Sequence, residues 1–405
     1  MNLWNDCEKK PITELLEFIV DNRGKTVPTT KTGHILIATN CIKNDSLYPK
    51  YEKIRFLSQE TYETFFRSHP LPGDIIFVNK GTPGRVCLVP EPVNFCIAQD
   101  MIALRANKKK VDNHYLFAVL RSPMIQAQIH NTYVGDVIPH FKKQFMDRLL
   151  IPIPSMAIQK KIGDIYYTLC DKIEVNRRIN EQLEELAGAL FKSWFVDFEP
   201  FKDGEFVDSE LGMIPKGWKV GTLGDIAGVV MGSSPAGSSY NTEGNGSIFY
   251  QGRTDFGFRF PCVRMYTTEP KRFAESNSVL LSVRAPVGDV NIAFEKCCIG
   301  RGLASIKSNC NADSYTYYLM KSLKPILDNY NNEGTVFGCI NKDALNNLSI
   351  VVPTIDIIKE FEQIVSSFDV EIRRRSEEIH HLTTLRDTLL PKLMSGEIDV
   401  NEVEI

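Results

Sequence analysis

CIGRGLASIK, residues Cys298–Lys307, repeats an earlier stretch, CIAQDMIALR, residues Cys96–Arg105. The apolar frame is shared, and the residues in the middle differ: Ala98, Gln99 and Asp100 against Gly300, Arg301 and Gly302. The repetition extends in both directions. GDIIFVNKGTPGRVCLV (Gly73–Val89) matches NSVLLSVRAPVGDVNIA (Asn277–Ala293), with Gly84 against Gly288 at an offset of 204. GDVIPHFKK (Gly135–Lys143) matches GTVFGCINK (Gly334–Lys342), and LLIPIP ending at Pro154 matches LSIVVP ending at Pro353, both at an offset of 199. Solenoid repeats run roughly 20–50 residues, so a period this long is a duplicated domain. A chain of 405 residues also exceeds one ordinary core and implies two or three domains.

Within each copy the texture changes in the same order. Short apolar runs alternate with Gly, Pro and Asn turns, as in a sheet-rich unit, and a helical pattern interrupts them at Asn113–Ile129. After IPIP or IVVP a long helix follows, with Ser155 or Thr354 placed as N-cap. Ile162, Ile165, Leu169, Asn176, Ile179, Leu183, Leu186 and Leu190 fall on heptad a and d positions, and Ile173 covers the gap at Lys172. Phe361, Ile364, Phe368, Leu382, Leu385 and Leu389 match them in the second copy, with Ile372 and Ile379 one step over. Each helix of roughly 35 residues would be about 52 Å long at 1.5 Å per residue. An apolar seam needs a partner, which the other copy supplies; folding back on its own domain, or a homodimer, are the alternatives. In the intrachain pairing Asn176 faces Arg375, a polar interruption that fixes register. The expected class is α+β: two homologous mixed α/β domains, 1–154 and 201–353, separated by two long helices, 155–200 and 354–405 with its tail. The helices form an antiparallel coiled coil with a pseudo-twofold internal repeat.

Composition narrows the function. With 43% hydrophobic and 24% charged residues the chain is globular. No apolar run approaches the roughly 18 residues of a membrane span, and the start, MNLWNDCEKKPITELL, lacks an export signal. The ten cysteines have no zinc-ligand spacing, and vicinal Cys297 and Cys298 read as small buried hydrophobes in a reducing cytoplasm. GxxxxGK[ST], GxGxxG, HExxH and GxSxG are absent, as is the Asn-Pro-Pro-Tyr or Asp-Pro-Pro-Tyr signature of an amino-methyltransferase. Paired acids such as Glu184 and Glu185 read as solvated charges on the helix exterior. A duplicated two-domain ruler with no catalytic motif, metal site or cofactor site is a recognition device.

The net charge of −3 hides a gradient. Residues 1–155 hold 20 Lys and Arg against 15 Asp and Glu, residues 201–353 hold 15 of each, and residues 354–405 hold 6 against 12. Side chains suited to base edges or phosphates cluster in the turns. In the first copy they are Lys25, Asn40, Asn79, Lys80, Thr82, Arg85, Gln99, Lys142 and Lys143; in the second, Gln251, Arg253, Arg259, Arg264, Arg284, Arg301, Asn341 and Lys342.

Beyond these features, GMIPKGWKVGTLGDIA, FYQGRTDFGFRFP, LLSVRAPVGDVN, CCIGRGLASI, LFKSWFVDFEPF and the terminal LLPKLMSGEI resemble the specificity (S) subunit of type I restriction–modification systems. The resemblance covers essentially the whole chain, including the order of recognition domain and spacer helix. It implies a non-catalytic cytoplasmic subunit that binds double-stranded DNA, with each domain reading half of an interrupted target. Its helices would hold two modification (methyltransferase) subunits, and ATP-dependent restriction subunits would join that core. The first copy departs from the pattern more, with CIAQD where the second has CIGRG. The duplication and helices alone would also permit a tandem-domain protein–protein adaptor, or a nuclease of unfamiliar motif. The differing tripeptides are where two homologous readers of different sequences should diverge, although drift at tolerant surface positions would look the same.

Overall fold

The computed structural model describes residues 6–21, 24–135, 138–331 and 338–403. Part of the Gly135–Lys143 and Gly334–Lys342 match, at 136–137 and 334–337, therefore lies outside the described residues. The chain divides into two compact units, Met1–Ile179 with Arg375–Ile405, and Asn180–Arg374. Each unit contains one copy of the repeat together with a segment of both long helices.

In the first unit an antiparallel sheet runs in the order Leu16–Asp21, Met101–Ala106, Ile75–Val78, Val86–Leu88. Its central strands are buried on both faces, which is why they read as continuous apolar runs and not as alternating ones. A smaller sheet pairs His34–Ile37 antiparallel with Arg55–Leu57 and parallel with Phe95–Ile97. Lys9–Pro11 with Leu150–Pro152 ties the two ends of the repeat together. The second unit has the same plan. Its four-stranded sheet is Ala227–Met231, Leu303–Ser308, Val279–Ser282, Val290–Ile292. Ser247–Tyr250 pairs parallel with Cys297–Ile299, and Lys219–Thr222 with Ser349–Val352 closes the ends. Cys297 and Cys298 are buried and unbridged, as their apolar setting predicts.

The duplication holds at the level of single hydrogen bonds. Val78 N–H donates to Arg85 O at 2.9 Å and Gly84 N–H to Val78 O at 3.0 Å; Ser282 to Asp289 and Gly288 to Ser282 repeat this at 2.8 and 2.9 Å. Gly84 and Gly288 have φ of 89° and 96°, a region that costs a side chain but not glycine.

The long helices are Met156–Phe195 and Ile355–Ser395, of 40 and 41 residues. In the first unit Ser155 Oγ accepts from Ile158 N–H at 3.5 Å, at the edge of hydrogen-bond range, and Gln159 Oε1 accepts from Asp112 N–H at 3.0 Å. The helix runs so close to this point that a Cβ on Gly163 would lie 2.5 Å from Tyr115 N. Arg375 Nη1 donates to Asn176 Oδ1 at 2.8 Å, the pairing expected from the sequence, and Lys172 is exposed and pairs with Glu378 at 3.6 Å. The apolar register needs correction. The buried face is Ile162, Tyr166, Leu169, Ile173, Asn176 in the first unit and Asn180, Glu184, Ala187, Phe191, Phe195 in the second. Leu186 is 54% exposed, as are Ile364 and Leu385 at 39% and 46%. A strict heptad assumes 3.5 residues per turn, and an unsupercoiled helix drifts from it by about 20° per heptad. By the end of the helix that drift has moved the buried face one residue along. Among the described residues no helix is long and apolar enough to cross a membrane.

Candidate nucleic-acid interface

Three turns meet at one end of each four-stranded sheet, laced by backbone hydrogen bonds. In the first unit Asn79 N–H donates to Asp100 O at 2.9 Å, Phe141 N–H to Asn79 O at 2.8 Å and Gly81 N–H to Pro139 O at 2.9 Å. The second unit repeats the lattice: Val283 to Gly302 at 3.0 Å, Ile340 to Val283 at 3.1 Å and Ala285 to Gly338 at 3.0 Å. The differing tripeptide is held identically in both. Ala98 N–H donates to Ile37 O and Met101 N–H to Ala98 O, as Gly300 does to Tyr250 O and Leu303 to Gly300 O. One scaffold thus presents Gln99 in one unit and the exposed Arg301 in the other. Gly302 is required by close approach, because a Cβ would lie 2.8 Å from the Gln251 carbonyl oxygen, and at Gly300 a Cβ would lie a tight 3.1 Å from the Gln251 backbone.

Most sequence-selected residues are brought together on these turns. Lys80, Lys142 and Lys143 are exposed, and Thr82, Arg85 and Gln99 are half-buried. Arg284, Arg301, Asn341 and Lys342 occupy the second lattice and are exposed. Lys25 is exposed on the segment after Leu16–Asp21, the counterpart of the segment after Ala227–Met231 that contains Ser234. Asn40, Gln251, Arg253 and Arg264 lie on the loops that follow His34–Ile37 and Ser247–Tyr250, beside the variable turn.

Several of these side chains are already engaged. Asn79 is buried, and its Nδ2 donates to Phe141 O at 3.2 Å, so it fastens the lattice and does not face outward as the sequence suggested. Asn341 Oδ1 caps the helix Lys342–Asn346, accepting from Ala344 N–H at 2.8 Å. Asn40 Nδ2 donates to Glu52 O, Lys143 pairs with Asp21, Arg253 with Asp289, and Arg264 Nε donates to Asp255 Oδ1 at 3.0 Å.

Arg259 is the plain correction. It is 1% exposed, pairs with Glu184 and Asp369, donates to Tyr318 Oη at 2.9 Å and stacks over Tyr317 at 3.9 Å. A guanidinium this deep can reach no DNA. Glu184 is corrected with it: this carboxylate is buried between Arg259 and Lys321, whereas Glu185 is exposed. Burial pushes the Glu184 carboxyl up, but Arg259 and Lys321 outweigh burial and hold it below the usual range. For Asp369 burial outweighs the attraction of Arg259 and leaves the carboxyl above that range. Sequence reasoning overlooked Ser234, whose Oγ accepts from Arg301 N–H at 3.2 Å. Its signal was the polar run SSPAGSS, which carries no charge.

Two copies of one α+β unit, sharing a turn lattice but differing in the side chains on it, define a tandem recognition protein. The family model for the type I restriction modification DNA specificity domain matches residues 5–185 and 215–381. The chain belongs to this specificity-subunit family. It is 30% identical over 410 residues to the candidate type I restriction enzyme MjaX specificity subunit of Methanocaldococcus jannaschii, covering 98% of this chain and 94% of that one. The type I restriction enzyme HindI specificity subunit of Haemophilus influenzae is 25% identical over 411 residues, covering 80% and 86%. The crystal structure of the type I restriction–modification S subunit from M. genitalium covers 96% of both chains with a TM-score of 0.57 at 16% identity, a likeness of fold.

Proposed function

We propose that this chain is the non-catalytic, sequence-reading subunit of a type I restriction–modification complex. Each unit reads one half of a bipartite, interrupted duplex target. The long helices pair as an antiparallel coiled coil, set the gap between the halves and scaffold two methyltransferase subunits, which the restriction subunits join. The observation that carries this reading is the duplicated lattice with its substituted tripeptide: identical backbone hydrogen bonds hold Gln99 in one unit and Arg301 in the other. A fixed frame with a changed side chain is what two readers of different sequences require. In this reading Arg301, Gln251, Gln99 and Arg85 approach base edges, and Asn40, Arg253 and Arg264 do so by exchanging their present partners, where Arg suits guanine and Asn or Gln adenine. Lys25, Lys80, Thr82, Lys142, Lys143, Arg284 and Lys342 bind phosphate.

Exchanging residues 201–353 for another family member's domain, followed by mapping of modified sites, tests the two-reader claim. One half of the target should change and the other persist; joint change of both halves contradicts it. Contact types separate in binding assays. Arg301→Ala should cost about 1–3 kcal/mol and relax one position of the site, whereas Lys142→Ala should weaken binding to all sequences and lower the salt slope by about one. Equal losses on specific and random DNA for Arg301→Ala would move it to the phosphate class.

A further inference from the structure

The loop beside the variable turn is fastened to a long helix in both units, by charge pairs of opposite polarity. In the second unit this loop follows Ser247–Tyr250, and its Gln251 backbone packs against Gly300 and Gly302. Arg259, in the same loop, sends its backbone carbonyl to Ile292 N–H at 2.9 Å, on the sheet. Its side chain reaches Glu184 of the first long helix and Asp369 of the second. Asn291 Nδ2 donates to Gly257 O at 3.1 Å and Cys262 N–H to Asp255 O at 2.8 Å, so the loop between these ties is held at both ends. In the first unit the corresponding loop follows His34–Ile37 and carries Asp45. Here the helix supplies the cation: Arg177 Nη1 donates to the backbone carbonyl of Asp45 at 2.7 Å, and its Nη2 lies 3.7 Å from Asp45 Oδ2, which Lys50 of the same loop also approaches at 3.3 Å.

The contact between domain and helix already has an apolar core in each unit, and in the second also polar ties such as Glu362 to Ser314 N–H and Tyr315 N–H, so a further charged tie on the reading loop of each copy does more than close that contact. Two copies that solve the same task with reversed charges point to a demand on the loop itself. We infer that Arg259 with Glu184 and Asp369, and Asp45 with Arg177, are positioning pairs that hold each reading loop in register with its variable turn. This rests on the proposed reading of DNA by both units. It also means that an exchanged domain must carry a cation at the place of Arg259, because its acidic partners stay behind on the host helices.

The test measures half-site discrimination by the assembled modification complex: the ratio of modification of the target to that of DNA with one base pair changed in one half. The domain exchange above identifies the half that the second unit reads. Arg259→Met keeps the side-chain length while removing the charge, and should lower discrimination at that half about tenfold, within the range of one mismatch, with the other half unchanged. Arg177→Met, which removes both the bond to the Asp45 carbonyl and the contact with its carboxylate, should lower discrimination at the opposite half about threefold. Thermal unfolding of each variant reports whether it is folded. Unchanged discrimination with folded Arg259→Met, or with folded Arg177→Met, overturns the inference, as does an equal loss at both halves in either variant. If the exchange itself alters both halves together, the two-reader reading fails and this inference with it.

Discussion

Glu184 and Arg259 were both misjudged from sequence, for one reason. A charged residue in a helix pattern or a turn is usually solvated, and no local feature announces that its partners come from residues 75 and 110 positions away. The turns proposed to read bases were legible because they coincide with the tripeptide where two repeats disagree; the buried cluster was not, because it exists in one copy only. Its energetics are testable. Glu184 has a depressed folded pKa, so its stabilisation is present above its unfolded value of about 4.3 and is lost as pH falls through the lower folded value. Asp369, raised by burial, has the opposite sign: it favours folding at low pH and costs stability once ionised. Glu184→Gln should therefore destabilise the second unit by about 3 kcal/mol at pH 7, with the difference shrinking below pH ~4, where the parent carboxyl also protonates. Denaturant titrations at the two pH values check this; an equal loss at both would show that the charge of Glu184 is irrelevant. Asp369→Asn should cost less than Glu184→Gln at pH 7 in the same assay.

At the scale of elements, the long helices were visible as sustained apolar periodicity, and Ser155 marked the start of the first. Asn176 opposite Arg375 was also legible, since both interrupt otherwise apolar stripes at matching places. The facing of the helix was legible only locally, because a heptad template and a straight helix part company over nine turns or so. Tyr166, Ala187 and Phe191, with their unequal sizes, take the buried positions that the heptad gave to Ile165, Leu186 and Leu190, and Phe195 extends the same face. The polar pair costs stability and specifies register. Asn176→Leu alone should destabilise the first unit, because the half-buried Arg375 loses its 2.8 Å acceptor. Asn176→Leu with Arg375→Leu should recover that loss and exceed the parent by about 1–3 kcal/mol. Chemical denaturation decides: a double variant less stable than the parent would mean that the pair is a net stabiliser and not a register device.

At the scale of the whole molecule, duplication was the strongest signal, because matches at offsets of 199 to 204 residues recur in the same order along both halves. What could not be read was that each compact unit takes a segment from both long helices, since that division depends on which helix segments meet. It changes the design of a length experiment. Lengthening one helix alone would separate Asn176 from Glu184 while leaving Arg375 and Asp369 at their original spacing, so one anchor would break. Four residues, roughly one turn, inserted after Ile179 and four more after Arg374 lengthen both helices by about 6 Å and nearly preserve their facing. At about 3.4 Å per base pair this corresponds to at most roughly two base pairs of DNA. The decisive measurement is the map of sites modified by the complex that contains the doubly lengthened chain. The proposed reading predicts both half-site sequences kept and the gap between them widened by one or two base pairs; an unchanged gap with both halves still recognised would contradict it.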